Sequence, residues 1–150
     1  MNKYIDVKLI SAVSMKKKHA LSLQGYDSER DTDGYKVMLE DGHTSWSPKE
    51  VFEKAYMKII PNPRLKTDIS ISQTMVDDFI KEVHVSTIGD KTTLVRVILA
   101  NGFEIIESSA CVDKENYSEE IGGEVCLGKI KNKVWMLLGF LLQTAVGGIK

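Results

Sequence analysis

The chain has 150 residues, 43% apolar and 27% charged, with a net charge of -1 and an isoelectric point near 6.3. That balance belongs to a globular rather than a disordered chain. It also argues against a duplex nucleic-acid binder, which needs a basic stripe to displace counterions, while leaving room for a small anion held by a few local cations.

In chain order, Met1 to Asp6 carries no apolar core of a signal peptide. Tyr4 to Val13 alternates loosely and predicts a strand. Met15 to Asp33, with Lys16-Lys17-Lys18 and a charged run from Asp27, predicts a loop with at most a short helical piece. Tyr35 to Leu39 is a strand, Glu40-Asp41-Gly42-His43 a hairpin turn, and Thr44-Ser45-Trp46 the returning strand. Ser47 is placed as an N-cap, with Pro48 at the first helical position and Glu50 completing a capping box. The helix that follows carries Val51, Phe52, Ala55 and Tyr56, with Ile59 continuing the spacing.

Pro61-Asn62-Pro63 stops that helix and marks a linker. Ser72 caps a second helix expected to reach Val83, because Met75, Val76, Phe79, Ile80 and Val83 share one helical face. His84 to Ile88 reads as a strand or its approach, and Gly89-Asp90-Lys91 as a turn. Thr92 to Ala100 is a strand dense in β-branched residues. Asn101-Gly102 predicts a type I′ turn with both residues at positive φ, and Phe103 to Val112 is the return strand. After a loop over Asp113 to Tyr117, Ser118-Glu119-Glu120 opens a long helix with acids in its first turn. Ile121, Val125, Ile130, Val134, Leu137, Leu138 and Leu141 keep helical spacing to the Gly147-Gly148 stop. Gly122-Gly123 and Gly128 cost about 1 kcal/mol each in a helix relative to Ala, and can permit close approach by a ligand or another helix. The nine apolar residues from Val134 to Leu142 fall short of the ~20 that a membrane span needs, and read as a buried helix face.

These elements predict an α+β fold. A small antiparallel sheet module occupies 1–60. A β-hairpin or antiparallel sheet packed with one short and one long helix occupies 68–146.

Residues suited to chemistry are sparse. No phosphate-binding glycine loop, zinc-binding helix or nucleophile elbow is present. His19 and His43 fall in loops or turns, and none of His19, His43 and His84 has a triad-like neighbour. Glu119-Glu120 is explained by the helix dipole, and Asp77-Asp78 by the polar face of its helix. Cys111 and Cys126 lack CxxC spacing and read as two buried or half-buried thiols in a reducing compartment. Neither a catalytic group nor a metal site nor a cofactor is expected.

Binding residues stand out more. Phe103, directly after the turn, is either a core or interface residue or a stacking platform for a base, and Tyr117 poses the same choice. Ser108-Ser109-Ala110-Cys111 is either an ordinary strand end or a place where small hydroxyl groups meet a ligand. Lys129, Lys131 and Lys133 form a solvated helix face or a phosphate contact.

The stretch Thr92 to Leu142 resembles a family of phage-encoded proteins long catalogued only as a conserved phage domain. The resemblance is carried by Asn101-Gly102-Phe103, Glu107-Ser108-Ser109-Ala110-Cys111-Val112, Glu115-Asn116-Tyr117 and Glu120-Ile121-Gly122. It continues through Ile130, Trp135 and Leu138-Gly139-Phe140-Leu141-Leu142. Asp33-Gly34-Tyr35, Glu40-Asp41-Gly42 and Ser45 to Tyr56 resemble a second small module found at the front of short phage proteins, some of which end in another Thoeris-sponge domain.

Characterised members of the first family are similar to molecular sponges against Thoeris immunity, the first-described Thoeris anti-defence family. The resemblance implies a non-enzymatic protein that binds cyclic ADP-ribose isomers without cleaving them in the cytoplasm of the infected bacterium. It also implies dimers, or trimers of dimers, and in related members capture of CBASS cyclic oligonucleotides at a separate site. For such a ligand, Phe103 would face the base, and Asn101, Asn116, Ser109 and Thr93 the ribose or base edges. Lys91, Arg96, Lys129 and Lys131 would meet the diphosphate, although Arg96 can equally be a cross-strand partner of Glu107. Gly123 stands where the family more often has Arg or Lys, which removes a cation. The competing reading is a phage structural or adaptor module whose apolar C-terminal helix is an interface and which binds no nucleotide.

Overall fold

The computed structural model describes residues 1–17 and 32–150. His19, Lys18 and most of the loop expected over 15–33 lie outside the described residues. The fold is mixed α+β, with two three-stranded antiparallel sheets and a long C-terminal helix. The chain divides into two compact units, one of Met1–Lys58 with Thr144–Lys150 and one of Ile59–Gln143.

The first unit is the sheet β1 (Ser11–Lys16), β2 (Asp33–Met38) and β3 (Thr44–Pro48), in that order, followed by α1 (Lys49–Ala55). The first strand starts later than its loose alternation suggests and runs into the expected loop, because Ser11 to Lys16 pairs residue by residue with Met38 to Asp33. Trp46 Nε1 donates to the Met15 carbonyl at 3.3 Å, which ties β1 to β3 across the middle strand. The capping box is not made. Ser47 stays in β3, Pro48 takes the N-cap position with no side-chain cap, and the helix begins at Lys49. No residue of α1 is buried. Instead Tyr35 stacks on Phe52 at 4.1 Å and Phe52 on Tyr56 at 4.7 Å. Tyr35 Oη donates to Glu53 at 2.8 Å.

The second unit is the sheet β4 (Ile80–Ile88), β5 (Thr92–Leu99) and β6 (Glu104–Ala110), with β5 central. One face is covered by α2 (Gln73–Phe79) and α3 (Glu119–Gly147). Strand period decides what is buried. Thr93, Val95, Val97 and Leu99 alternate inward at 0–1% exposure, while Thr92, Leu94, Arg96 and Ile98 stay half-exposed on the open face. On α3 the buried stripe is Cys126, Ile130, Val134 and Leu138, one residue every fourth position. Met75 and Val76 of α2 complete the core. Burying each side chain of this size contributes about 1.5–3 kcal/mol.

Four local expectations change. The helix capped by Ser72, whose Oγ accepts from the Met75 amide, ends at Phe79 rather than Val83. From Ile80 onward the β-branched residues pair with β5, and Ala100 N–H donates to the Phe79 carbonyl at 2.8 Å. Pairing with a central strand satisfies every backbone group on that side, which outweighs a helical apolar spacing.

The Asn101-Gly102 turn is not type I′, since no non-glycine residue has positive φ and only Gly102 is left-handed, at 85°. Ala100, Asn101 and Gly102 form a three-residue loop, closed by Gly102 N–H to Leu99 O at 2.8 Å and Leu99 N–H to Phe103 O at 2.8 Å. Asn101 Oδ1 accepts from the Phe103 amide at 3.0 Å. The Glu40-Asp41-Gly42 turn is built the same way, with Asp41 Oδ1 accepting from the His43 amide at 2.9 Å.

The segment around Pro61-Asn62-Pro63 packs into the second unit. Ile59 lies against its core and Asn62 N–H donates to Ser70 Oγ at 3.0 Å. Finally, the apolar run from Val134 to Leu142 is not one buried face: Val134 and Leu138 are buried, but Met136 and Phe140 are largely exposed.

Helix α3 runs through its glycines unbroken. Gly122 continues the buried stripe toward the helix start, and there it touches the sheet. A Cβ on Gly122 would lie 2.7 Å from Thr93 Cβ and closer still to its hydroxyl, whereas a Cβ on Gly128 would meet nothing within 4 Å.

Two substitutions separate these roles. Gly122→Ala is expected to destabilise by about 1–3 kcal/mol through overpacking, despite its gain in helix propensity. Gly128→Ala is expected to stabilise by up to about 1 kcal/mol. Urea unfolding followed by circular dichroism reads both, and equal effects at the two positions would contradict the close contact.

Candidate functional site

The strand register places the candidate binding residues at two ends of one sheet. Asn101 and Phe103 sit at the β5–β6 tip. Phe103 is 56% exposed and stacks on no other ring among the described residues, so it is not part of the core. Asn101 spends its side-chain oxygen on the turn and keeps only its amide nitrogen for a ligand.

At the other end lie Lys91, Thr93, Ser109 and Asn116. Thr93 pairs with Ser109 across the strands, and Lys91 Nζ donates to the Val112 carbonyl at 3.3 Å. Asn116 closes a 3-10 turn (Lys114–Asn116) capped by Asp113. The eight residues of β5 at roughly 3.3 Å each put about 25 Å between these ends. One chain therefore does not gather the candidate residues into a single pocket.

Thr93 is fully buried beneath Gly122, with its hydroxyl 3.0 Å from Tyr117 Oη. It packs helix against sheet and presents nothing to a ligand here. Tyr117 Oη also lies 2.7 Å from Thr87 Oγ1, and Thr87 donates to Glu119. This cluster fastens the start of α3 to β4 and β5. Tyr117 is thus a structural tie. The sequence signal that could have found it is Gly122, which extends the every-fourth-residue stripe of α3 by one step.

The candidate cations are all engaged inside the chain. Arg96 lies on the open sheet face and makes a two-pronged contact with Glu104, with Nε to Oε2 at 2.9 Å. Its partner is therefore Glu104, the diagonal neighbour, because Glu107 points to the helix face and pairs with Lys133. Lys131 holds Asp77 of α2 at 2.8 Å. Lys129 donates to the Ser108 carbonyl at 3.2 Å. Hydrogen bonds from these cations hold the carboxyls of Glu104, Glu107 and Asp77 below their ordinary values. The Arg96–Glu104 and Lys131–Asp77 pairs are exposed and exchangeable, while Glu107 is half-buried under Lys133.

A shallow cleft of about 330 Å³ runs beside β4, floored by Val83, Val85 and Leu127 and rimmed by Glu119, Glu120 and Glu124. Three carboxylates make it a poor seat for phosphate. Burial raises the Cys126 thiol, which donates weakly to the Thr93 carbonyl at 3.9 Å. Among the described residues no cluster of three or more His, Cys, Asp or Glu is placed to hold a metal ion, and no helix is long and apolar enough to cross a membrane.

The model of one protein family, described as phage protein (N4 Gp49/phage Sf6 gene 66), matches residues 71–146. No curated protein and no solved structure matches the chain.

The lowered carboxyls set a pH dependence. Their stabilisation is complete above the ordinary carboxylate range and is lost as pH falls through the lowered folded values, because the unfolded chain then binds more protons. The thermal midpoint is expected to drop from about pH 5 downward. Lys133→Met should flatten that slope by returning Glu107 toward its ordinary value. Thermal melts of both proteins across this range check it, and identical slopes would mean the pair contributes nothing.

Proposed function

The chain belongs to that phage protein family, and from this premise we propose that it is an anti-defence sponge. It binds a cyclic ADP-ribose-type immune signal, holds it without cleavage, and so keeps it from the Thoeris effector in the cytoplasm of the infected bacterium. The observation that carries this reading is Phe103, a large ring left 56% exposed at a hairpin tip whose turn is locked by its own hydrogen bonds. A rigid, exposed ring is a ready stacking surface for adenine, worth roughly 1–3 kcal/mol per base. The resemblance over Thr92 to Leu142 supplies the ligand class, and related members add CBASS cyclic oligonucleotides.

The phosphates are met by cations that exchange partners. Arg96, Lys91 and Lys131 make contacts at the surface, and a diphosphate offers Arg96 a better fork than a single carboxylate. Self-association fits the distribution of the residues. The tip carries Phe103 and Asn101 and the far end Lys91, Ser109 and Asn116, so a pocket using both draws them from two copies in a dimer or a trimer of dimers. Binding alone needs neither metal nor cofactor.

A second reading, a structural or adaptor module, is favoured by the exposed apolar residues Ile106, Val112 and Met136, at 55%, 96% and 67% exposure. It predicts no nucleotide ligand.

The sponge reading predicts that purified protein depletes cyclic ADP-ribose isomers from solution and returns them intact on heating. Linear ADP-ribose in the released fraction would instead mean catalysis. Calorimetric silence toward a panel of cyclic nucleotides would favour the adaptor. Phe103→Ala is expected to weaken binding about tenfold or more while leaving the unfolding transition in place.

A further inference from the structure

A second cleft, of about 420 Å³, lies wholly within the unit that holds the long helix. One wall is the segment from Ile60 to Arg64, the opposite wall carries Gln73 and Thr74 of α2, and Trp135 of α3 closes it. Its size falls in the range of small-ligand pockets, roughly 300–1,000 Å³.

The cleft is preformed. Pro61 and Pro63 stiffen the wall. Three backbone amides lock it further. Asn62 N–H donates to Ser70 Oγ at 3.0 Å, Arg64 N–H to Asn62 Oδ1 at 3.1 Å and Leu65 N–H to the Asn62 carbonyl at 3.0 Å. Ile60 N–H meets Met75 Sδ at 3.4 Å, which fastens the same wall to α2.

The cleft's cation differs from the candidate cations of the sheet and of α3. Lys91, Arg96, Lys129, Lys131 and Lys133 are each occupied by a carbonyl or carboxylate of the chain itself. The Arg64 guanidinium makes no hydrogen bond or ion pair with any described residue. Trp135 is half-buried, packed on the core along one side, and its indole N–H has no partner among the described residues. The Thr74 hydroxyl is likewise unengaged, and Gln73 uses only its amide nitrogen, on Asp77. One preformed cleft is therefore lined by an aromatic residue packed on the core, an arginine whose guanidinium is unpaired among the described residues, and two side chains with hydrogen-bonding capacity to spare.

We propose that this cleft is a binding site for a nucleotide-sized ligand that joins a planar aromatic ring to a phosphate. The ring lies against Trp135, the phosphate takes the fork of Arg64, and Thr74 and Gln73 meet the polar edge between them. The site is distinct from the hairpin tip. Ile60 to Arg64 lie outside the stretch 71–146 that matches the family. It stands or falls independently of the sponge reading.

Titration calorimetry of the full chain with AMP tests it. Saturable binding is expected, weakened about tenfold or more by Arg64→Ala and partly restored by Arg64→Lys. Trp135→Leu, which keeps apolar bulk on the core, is expected to weaken it as well, with circular dichroism confirming that the helix is intact. Adenosine and inorganic phosphate should each bind at least about tenfold more weakly than AMP. Lys81→Ala, at an exposed cation outside the cleft, should leave AMP affinity unchanged. Absence of saturable heat with millimolar AMP overturns the proposal, as does an Arg64→Ala protein that binds as the parent does. Phosphate binding as tight as AMP would reduce the cleft to a simple anion site and also overturn it. Loss of AMP binding in Phe103→Ala but not in Arg64→Ala would move the ligand to the hairpin tip.

Discussion

The contact of α3 with β5 organises the second unit. Two periodicities meet along it: every second residue of the strand from Thr93 to Leu99, and every fourth residue of the helix from Gly122 to Leu138. The tightest point is at the helix start, where Gly122 has no side chain and Thr93 fills the space. Tyr117 from the preceding loop, Thr87 of β4 and Glu119 of α3 itself brace that point with hydrogen bonds. Met75 and Val76 of α2 join the same core. The β5–β6 tip, with Phe103, is then left in solvent.

That arrangement covers one face of the sheet and leaves the other open, with the Arg96–Glu104 pair and Ile106 on it. It also brings the cations of α3 over acceptors of the same chain. Lys131 reaches α2, while Lys129 and Lys133 reach β6. A phosphate ligand at these positions competes with contacts already made. An aromatic ring at the hairpin tip competes with none.

The first unit rests on a different economy of contacts. Its helix has no fully buried residue, Val37 of β2 is buried, and a stack of Tyr35, Phe52 and Tyr56 packs the helix on the sheet. Trp46 spans the sheet to the Met15 carbonyl while lying over Gly34, where any side chain would collide with its ring. These aromatic contacts explain the Asp33-Gly34-Tyr35 and Ser45-Trp46 groupings in physical terms.

Much of this was legible in the amino-acid sequence, because local chemistry decides it. The α+β class, β5, the positions of the three glycine-bearing turns, the Ser72 cap and the length of α3 all follow from period, capping and turn residues. Other features depended on distant partners. The apolar spacing from Met75 to Val83 is compatible with a helix, and only the presence of β5 alongside turns its second half into β4. Arg96 could have met Glu107 or Glu104, and the pleat, which sends Glu107 to the helix face, decided for Glu104. Arg64 and Trp135 are 71 positions apart and carry no shared pattern. By itself the sequence determined where most strands, turns and helices fall, since those depend on neighbours along the chain, while Ile80 to Val83 took their state from β5. Only the tertiary structure decided which side chains are occupied and which stand free, since a hydrogen-bonding group is satisfied by whatever the fold brings beside it.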